Sequence, residues 1–156
     1  MHKAGILIIK LKDADHEAVN ACSDIISKAL HSIKVTISRN EDIQPKEAAV
    51  ANTLALWADS GEVDFIITSG GTGIGAEDIT PEATRSVADR EIPGISELMR
   101  LHGYKQHQSA IFSRAMVGIR GKCVIFNLPG NPGAVHEYME LLLPLIPHVV
   151  DAVQIE

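Results

Sequence analysis

Gly70-Gly71-Thr72-Gly73, followed at once by Glu77 and Asp78, sets two opposed chemistries side by side. Glycines let backbone N–H groups approach an anion closely, which is how loops cradle phosphate. Carboxylates repel phosphate unless a cation stands between, and Mg²⁺ takes oxygen ligands from both. Asp78 therefore reads as a Mg²⁺ ligand in phosphoryl or nucleotidyl transfer, where positioning and charge neutralisation supply most of the catalysis. The alternative is that Asp78 only caps the helix opening near Thr80. Glu82 reads as a first-turn helix acid favoured by the macrodipole. A second loop, Asn127-Leu128-Pro129-Gly130-Asn131-Pro132, also ends at a helix start, where unpaired N–H groups favour negative charge. Ser113-Arg114 adds a hydroxyl and a fork-shaped cation. Two look-alikes fail on context. Gly71-x-Gly73-x-x-Ala76 matches a dinucleotide fingerprint as a string, but it follows the third strand and its helix waits until Thr80-Pro81. A Walker loop fails because no Gly-Lys-Ser/Thr follows the glycines.

The elements that must position these residues alternate along the chain. Gly5 to Ile9 is an unbroken apolar run, the pattern of a strand buried on both faces. His16 to Leu30 carries apolar residues at helical spacing, and Ile33 to Ile37 alternates as a second strand. Lys46 to Ser60 is a second amphipathic helix with Val50, Leu54 and Trp57 on its apolar face, so Trp57 reads as core. Val63 to Ile67 is the third strand. Thr80-Pro81 predicts a helix start with a hydroxyl cap, running to about Arg90, and a short helical piece covers Ser96 to Leu101. Ala115 to Ile119 and Lys122 to Phe126 flank a tight turn at Arg120-Gly121, as in a β-hairpin. Asn131-Pro132 repeats the cap-then-proline signature and opens a last helix with Val135, Met139, Leu142 and Leu143. This order predicts a three-layer αβα domain with a mainly parallel central sheet, and ligands at the carboxyl ends of its strands.

Composition sets the outer limits. The 156 residues read as one domain, 1–156, and an apolar share of 46% is that of a globular chain. A formal charge of −6 argues against a nucleic-acid partner, which needs a basic face. No apolar run reaches the length of a membrane span, and Met1 to Ala4 shows no cleavage pattern, so a soluble, cytoplasmic protein is expected. Cys22 and Cys123 sit in apolar patterns and read as buried free thiols. His102, His107 and His136 lack metal-ligand spacing.

Taken together, Thr68 to Gly73, Glu77 to Thr84, Arg90 to Gly94, Phe112 to Gly121 and Asn127 to Pro132 closely resemble the signature of the MogA/MoaB family of molybdenum-cofactor proteins, to which the gephyrin G domain is related. The resemblance runs from about Val63 to the end of the chain. It implies a three-layer α/β domain, usually trimeric, that binds molybdopterin. MogA-type members transfer AMP from Mg-ATP to the terminal phosphate of that pterin, releasing pyrophosphate and readying it for a molybdenum insertase. Carried over, Ser69, Gly70, Gly71, Thr72 and Gly73 would hold the pterin and its phosphate with Ser113, Arg114, Asn127, Pro129, Gly130 and Asn131. Asp78 matches the family's catalytic aspartate and Mg²⁺ ligand.

The amino-terminal half departs from the family. A Thr-x-Ser-Asp segment after the first strand is replaced by Ile8 to Leu11, and an Asp-x-Ser-Gly by Glu17 to Asn20. The aspartate expected before Trp57 falls at Pro45, with Asp42 nearby as a displaced second metal ligand; Asp13 and Asp15 are other substitutes. Gly133 stands where a lysine often follows Asn-Pro. Two functions remain open at this level: a molybdopterin adenylyltransferase, and a binding or delivery protein whose ATP side has degenerated. A scaffold-like member is a third.

Overall fold

The computed structural model describes residues 1–155. Its strands are β1 (Lys3–Ile9), β2 (Thr36–Ile43), β3 (Phe65–Ser69), β4 (Arg90–Glu91), β5 (Val117–Arg120) and β6 (Cys123–Leu128). The helices are α1 (His16–Ser32), α2 (Glu47–Asp59), α3 (Thr80–Val87), α4 (Pro93–Gln106), α5 (Pro132–Leu142) and α6 (Ile146–Gln154). They build one six-stranded sheet in the order β2-β1-β3-β6-β5-β4. The first four strands of that order run parallel, and β5 runs antiparallel to both its neighbours.

Alternation along the central strands explains the three layers. Ile6 and Ile8 of β1, with Phe65, Ile67, Val124 and Phe126, pack against α1, α4, α5 and α6. Leu7 and Ile9, with Ile66 and Ile125, face α2 and α3 through Val50, Leu54, Trp57 and Ala83. Both faces are covered, so these strands read as continuous apolar runs. Trp57 is core, as its place on the apolar helical face implied, and it lies against Gly5 so closely that a Cβ there would meet the indole at 2.8 Å. Cys22 and Cys123 are both buried and free.

The structure moves several boundaries. Ile33 to Val35 is not strand: Lys34 takes a left-handed φ of 62° and the chain turns back onto α1, Val35 N–H bonding to Leu30 O. The strand begins at Thr36 and continues through Arg39, Asn40, Glu41 and Asp42. It is an edge strand, held by backbone pairing while charged side chains guard its open side, so apolar alternation could not mark its end. Thr80 is not a cap, because its hydroxyl donates to Gly70 O and Ile79 takes the cap position. That helix ends at Val87, where the chain leaves for the short strand β4. The piece at Ser96 to Leu101 is part of a fourteen-residue helix starting at Pro93. The hairpin and the Asn131 cap are as expected, the latter accepting from Ala134 N–H at 3.1 Å. The hairpin turn falls on Gly121-Lys122, with Gly121 at φ 57°. Among the described residues no helix is long and apolar enough to cross a membrane.

Candidate functional site

The carboxyl ends of β1, β3 and β6 face a cavity of about 920 Å³. Its walls include Ile8 and Ile9, the loop Ser69 to Ile74 with Glu77 and Asp78, and Pro129 to Ala134 at the start of α5. Asp13, Asp15 and Cys22 close one side, and His107, Phe112 and Ser113 another. The two loops touch each other. Ser69 Oγ donates to Pro129 O at 2.8 Å, Gly70 N–H to Leu128 O at 2.9 Å, and a Cβ on Gly130 would come within 3.3 Å of Gly70 Cα.

The glycine loop owes its shape to contacts only glycine permits. Gly70 and Gly71 adopt φ of 101° and 72°, and a Cβ on Gly70 would lie 2.5 Å from Ile9 O. Thr80 N–H and hydroxyl pin the carbonyls of Gly71 and Gly70. Those bonds engage carbonyls, and among the described residues no protein acceptor takes the N–H groups of Gly71, Thr72 or Gly73. Buried backbone donors demand partners, and a loop of unspent donors at a cavity wall has the chemistry to take an anion.

Asp78 lines the same cavity. Its Oδ2 accepts from Gly75 N–H at 2.8 Å, and its own N–H donates to Gly75 O at 3.1 Å. The carboxylate therefore closes the Gly75 turn rather than capping α3. Among the described residues Oδ1 accepts no hydrogen bond. Glu77 is tied across the cavity mouth, accepting from Lys12 N–H at 3.2 Å.

Three sequence expectations are corrected by their surroundings. Arg114 does not face the cavity: Nε donates to Gly73 O at 2.7 Å, one terminal nitrogen to Asp78 O at 2.6 Å and the other to Glu82 Oε1. Each nitrogen of its fork makes a bond to the loop or to α3, so the side chain braces the loop from behind. Glu82 is that arginine's partner, and the Arg114 hydrogen bond keeps its carboxyl below the ordinary value. Asn127 is fully buried; its amide donates to the hydroxyls of Thr68 and Thr84 and accepts from Met116 N–H, away from the cavity. Asp42 lies on the edge strand beside Lys10 Nζ at 3.9 Å and is not in the cavity wall. The acids that share the wall with Asp78 are Asp13, Asp15, Glu77 and Glu137. Asp15 is half-committed as the cap of α1, accepting from Glu17 N–H.

The sequence reading passed over Cys22 as part of the site. Its thiol bonds to Gly130 O at 3.4 Å from the α1 side, and burial pushes its pKa up against a lowering hydrogen bond with Ser69. The signal lay in its place on the buried α1 face, but only folding put that face against the second loop. Among the described residues no group of three or more His, Cys, Asp or Glu is gathered for a metal.

Residues 6–148 match the family described as "Probable molybdopterin binding domain". The chain belongs to this family. A molybdopterin adenylyltransferase of Helicobacter pylori is 34% identical over 149 residues, 92% of this chain and 85% of that protein. Molybdenum cofactor biosynthesis protein B of Bacillus cereus is 30% identical over 91% of this chain and 86% of its own length. The crystal structure of MoaB from Thermus thermophilus superposes with a TM-score of 0.87 at 37% identity, covering 98% of this chain and 96% of that one. The molybdopterin-binding family is therefore the MogA/MoaB group that the glycine loop and Asn-Pro loop resemble, and its three-layer fold is the one seen here.

Proposed function

We propose that this protein acts in molybdenum cofactor biosynthesis as a molybdopterin adenylyltransferase. The observation that carries the reading is the junction of two loops, Ser69–Gly73 and Pro129–Asn131, where the unspent N–H groups of Gly71, Thr72 and Gly73 share one cavity with the Asp78 carboxylate. In the reaction, an oxygen of the molybdopterin phosphate attacks the α-phosphorus of ATP. A new P–O bond forms and the bond to pyrophosphate breaks, which leaves adenylyl-molybdopterin. Backbone donors of Gly71, Thr72 and Gly73 hold the pterin phosphate, with Ser113 and the start of α5 beside it. Holding both phosphates in line is the main task of the chain, since oriented reactants need little further help.

The residues fit Mg²⁺. This ion keeps several waters and binds through one or two carboxylates plus substrate phosphates, so Asp78, whose Oδ1 accepts no hydrogen bond among the described residues, is a sufficient protein share. When bound, Mg²⁺ supplies charge neutralisation between the triphosphate and Asp78. The same reading carries a cytoplasmic homotrimer that passes its product to a molybdenum insertase. Leu98, Leu101 and Tyr104, exposed at intervals of three along α4, are apolar surface that such an assembly would cover.

The test mixes the protein with molybdopterin and Mg-ATP and follows pyrophosphate and the mass of the pterin product. Adenylylated pterin that vanishes in Asp78→Ala, with pterin affinity kept, is the expected result. Tight pterin binding without turnover in the unaltered chain would make it a binding or delivery protein.

A further inference from the structure

Arg114 is bonded to the glycine loop and the helix that follows it through its backbone and all three guanidinium nitrogens. Its N–H donates to Thr72 O at 2.8 Å, its Nε to Gly73 O, and its two terminal nitrogens to Asp78 O and Glu82 Oε1. The loop from Thr72 to Ile79 is thus held near its start and near its end, and tied to the first turn of α3, by a single residue. That residue is itself anchored. Arg100 of α4 donates through one nitrogen to Ser113 O at 3.4 Å and Ala115 O at 2.8 Å, the carbonyls on either side of Arg114. Inside the loop, the Gly75 N–H bond fixes Asp78 Oδ2, and Gly73 packs so near that a Cβ would meet that oxygen at 2.8 Å.

Apart from these staples the loop is held by the Gly75–Asp78 turn, by Thr80 N–H on Gly71 O and by Lys12 N–H on Glu77. It contains Gly73 and Gly75, carries Ile74 with 73% of its surface exposed, and has no strand partner. A glycine-rich segment of this kind samples many conformations, and ordering it costs backbone entropy that the Arg114 bonds help to offset. Planar guanidinium is suited to the task because its donors leave in fixed directions, whereas a lysine offers one mobile ammonium.

We propose that Arg114, braced by Arg100 and paired with Glu82, is the positioning residue that sets the Asp78 carboxylate for transfer without touching substrate. This rests on the adenylyl-transfer reading for its catalytic consequence, but not for its structural one. A cation in direct contact with a phosphate would govern affinity; a staple behind the loop governs the placement of the reacting groups, and so the turnover step.

The experiment compares the unaltered chain with Arg114→Lys and Glu82→Gln by amide hydrogen exchange and steady-state kinetics. In Arg114→Lys the Gly75 amide exchanges about tenfold faster or more, while amides of β3 and β6 keep their protection. Its kcat falls about 100-fold and KM for molybdopterin moves less than about threefold. Glu82→Gln keeps an acceptor for Arg114 and shows a smaller change in the same direction. Unchanged exchange at Gly75, or a KM that rises in proportion with kcat untouched, would overturn the proposal. If the unaltered chain shows no turnover, the adenylyl-transfer reading fails by itself, and the exchange data still decide whether Arg114 holds the loop.

Discussion

Gly73 and Asp78 show how much one hydrogen atom can decide. A methyl group on Gly73 would press on Asp78 Oδ2, whose place is already fixed by Gly75 N–H. Gly73 does not take a left-handed φ, so the residue is required for space and not for backbone freedom. Gly73→Ala should therefore lower kcat about 100-fold through a displaced carboxylate, while stability changes by less than ~1 kcal/mol. Kinetics and a thermal melt on the same sample check this; normal turnover would mean that the carboxylate has freedom the structure does not give it. The place of Asp78 beside the glycine loop at the cavity was legible in the sequence because its evidence is local, an acid a few residues after the glycines. Arg114, Asn127 and Asp42 were not, because a guanidinium, an amide and a carboxylate are as suited to internal partners as to a ligand. Nothing in their spacing says which partner is nearer.

At the level of elements, the junctions matter more than the strands. Asn127 at the end of β6 bonds the Thr68 hydroxyl on β3, the Thr84 hydroxyl on α3 and Met116 N–H before β5. It therefore locks the two strands that present the loops to the helix that follows the glycines. Asn127→Ala would leave these buried groups unsatisfied and should cost about 3 kcal/mol. Urea denaturation measures the loss, and the folded fraction should bind molybdopterin with unchanged affinity. A weakened affinity at unchanged stability would return Asn127 to the ligand. Elements with periodic or punctuated signals were readable: α1, α2, the hairpin and the start of α5. The edge strand β2 was shifted by several residues, since its polar stretch is held by main-chain bonds to β1 that leave no pattern in side-chain type.

For the molecule as a whole, protonation marks the limits of stability. Hydrogen bonds from Arg114 and Arg120 hold the carboxyls of Glu82 and Asp59 below their ordinary values of 4.5 and 3.8. A depressed folded pKa gives stability that is present above the unfolded value and lost as pH falls below it. Burial pushes the Cys123 thiol up from 9.0 to about 12, and Cys22 is raised for the same cause. A raised folded pKa gives stability that is complete below the unfolded value and is lost as pH climbs toward the folded one. The melting temperature should thus hold a plateau between pH 4.5 and 9.0 and fall on both sides. Glu82→Gln should flatten the acid limb and Cys123→Ala the alkaline one, measured by thermal melts across pH; limbs unmoved by either change would assign them to other groups. What the sequence determined by itself was the layer order and the two strand-to-helix loops that meet at the cavity, because strand hydrophobicity, turn chemistry and helix starts are short-range properties. Only the tertiary structure decided which polar groups face the cavity and which face each other. Arg114 and Gly73, forty-one residues apart, meet through a fold, and a hydrogen bond across that separation leaves no trace in either residue's neighbours along the chain.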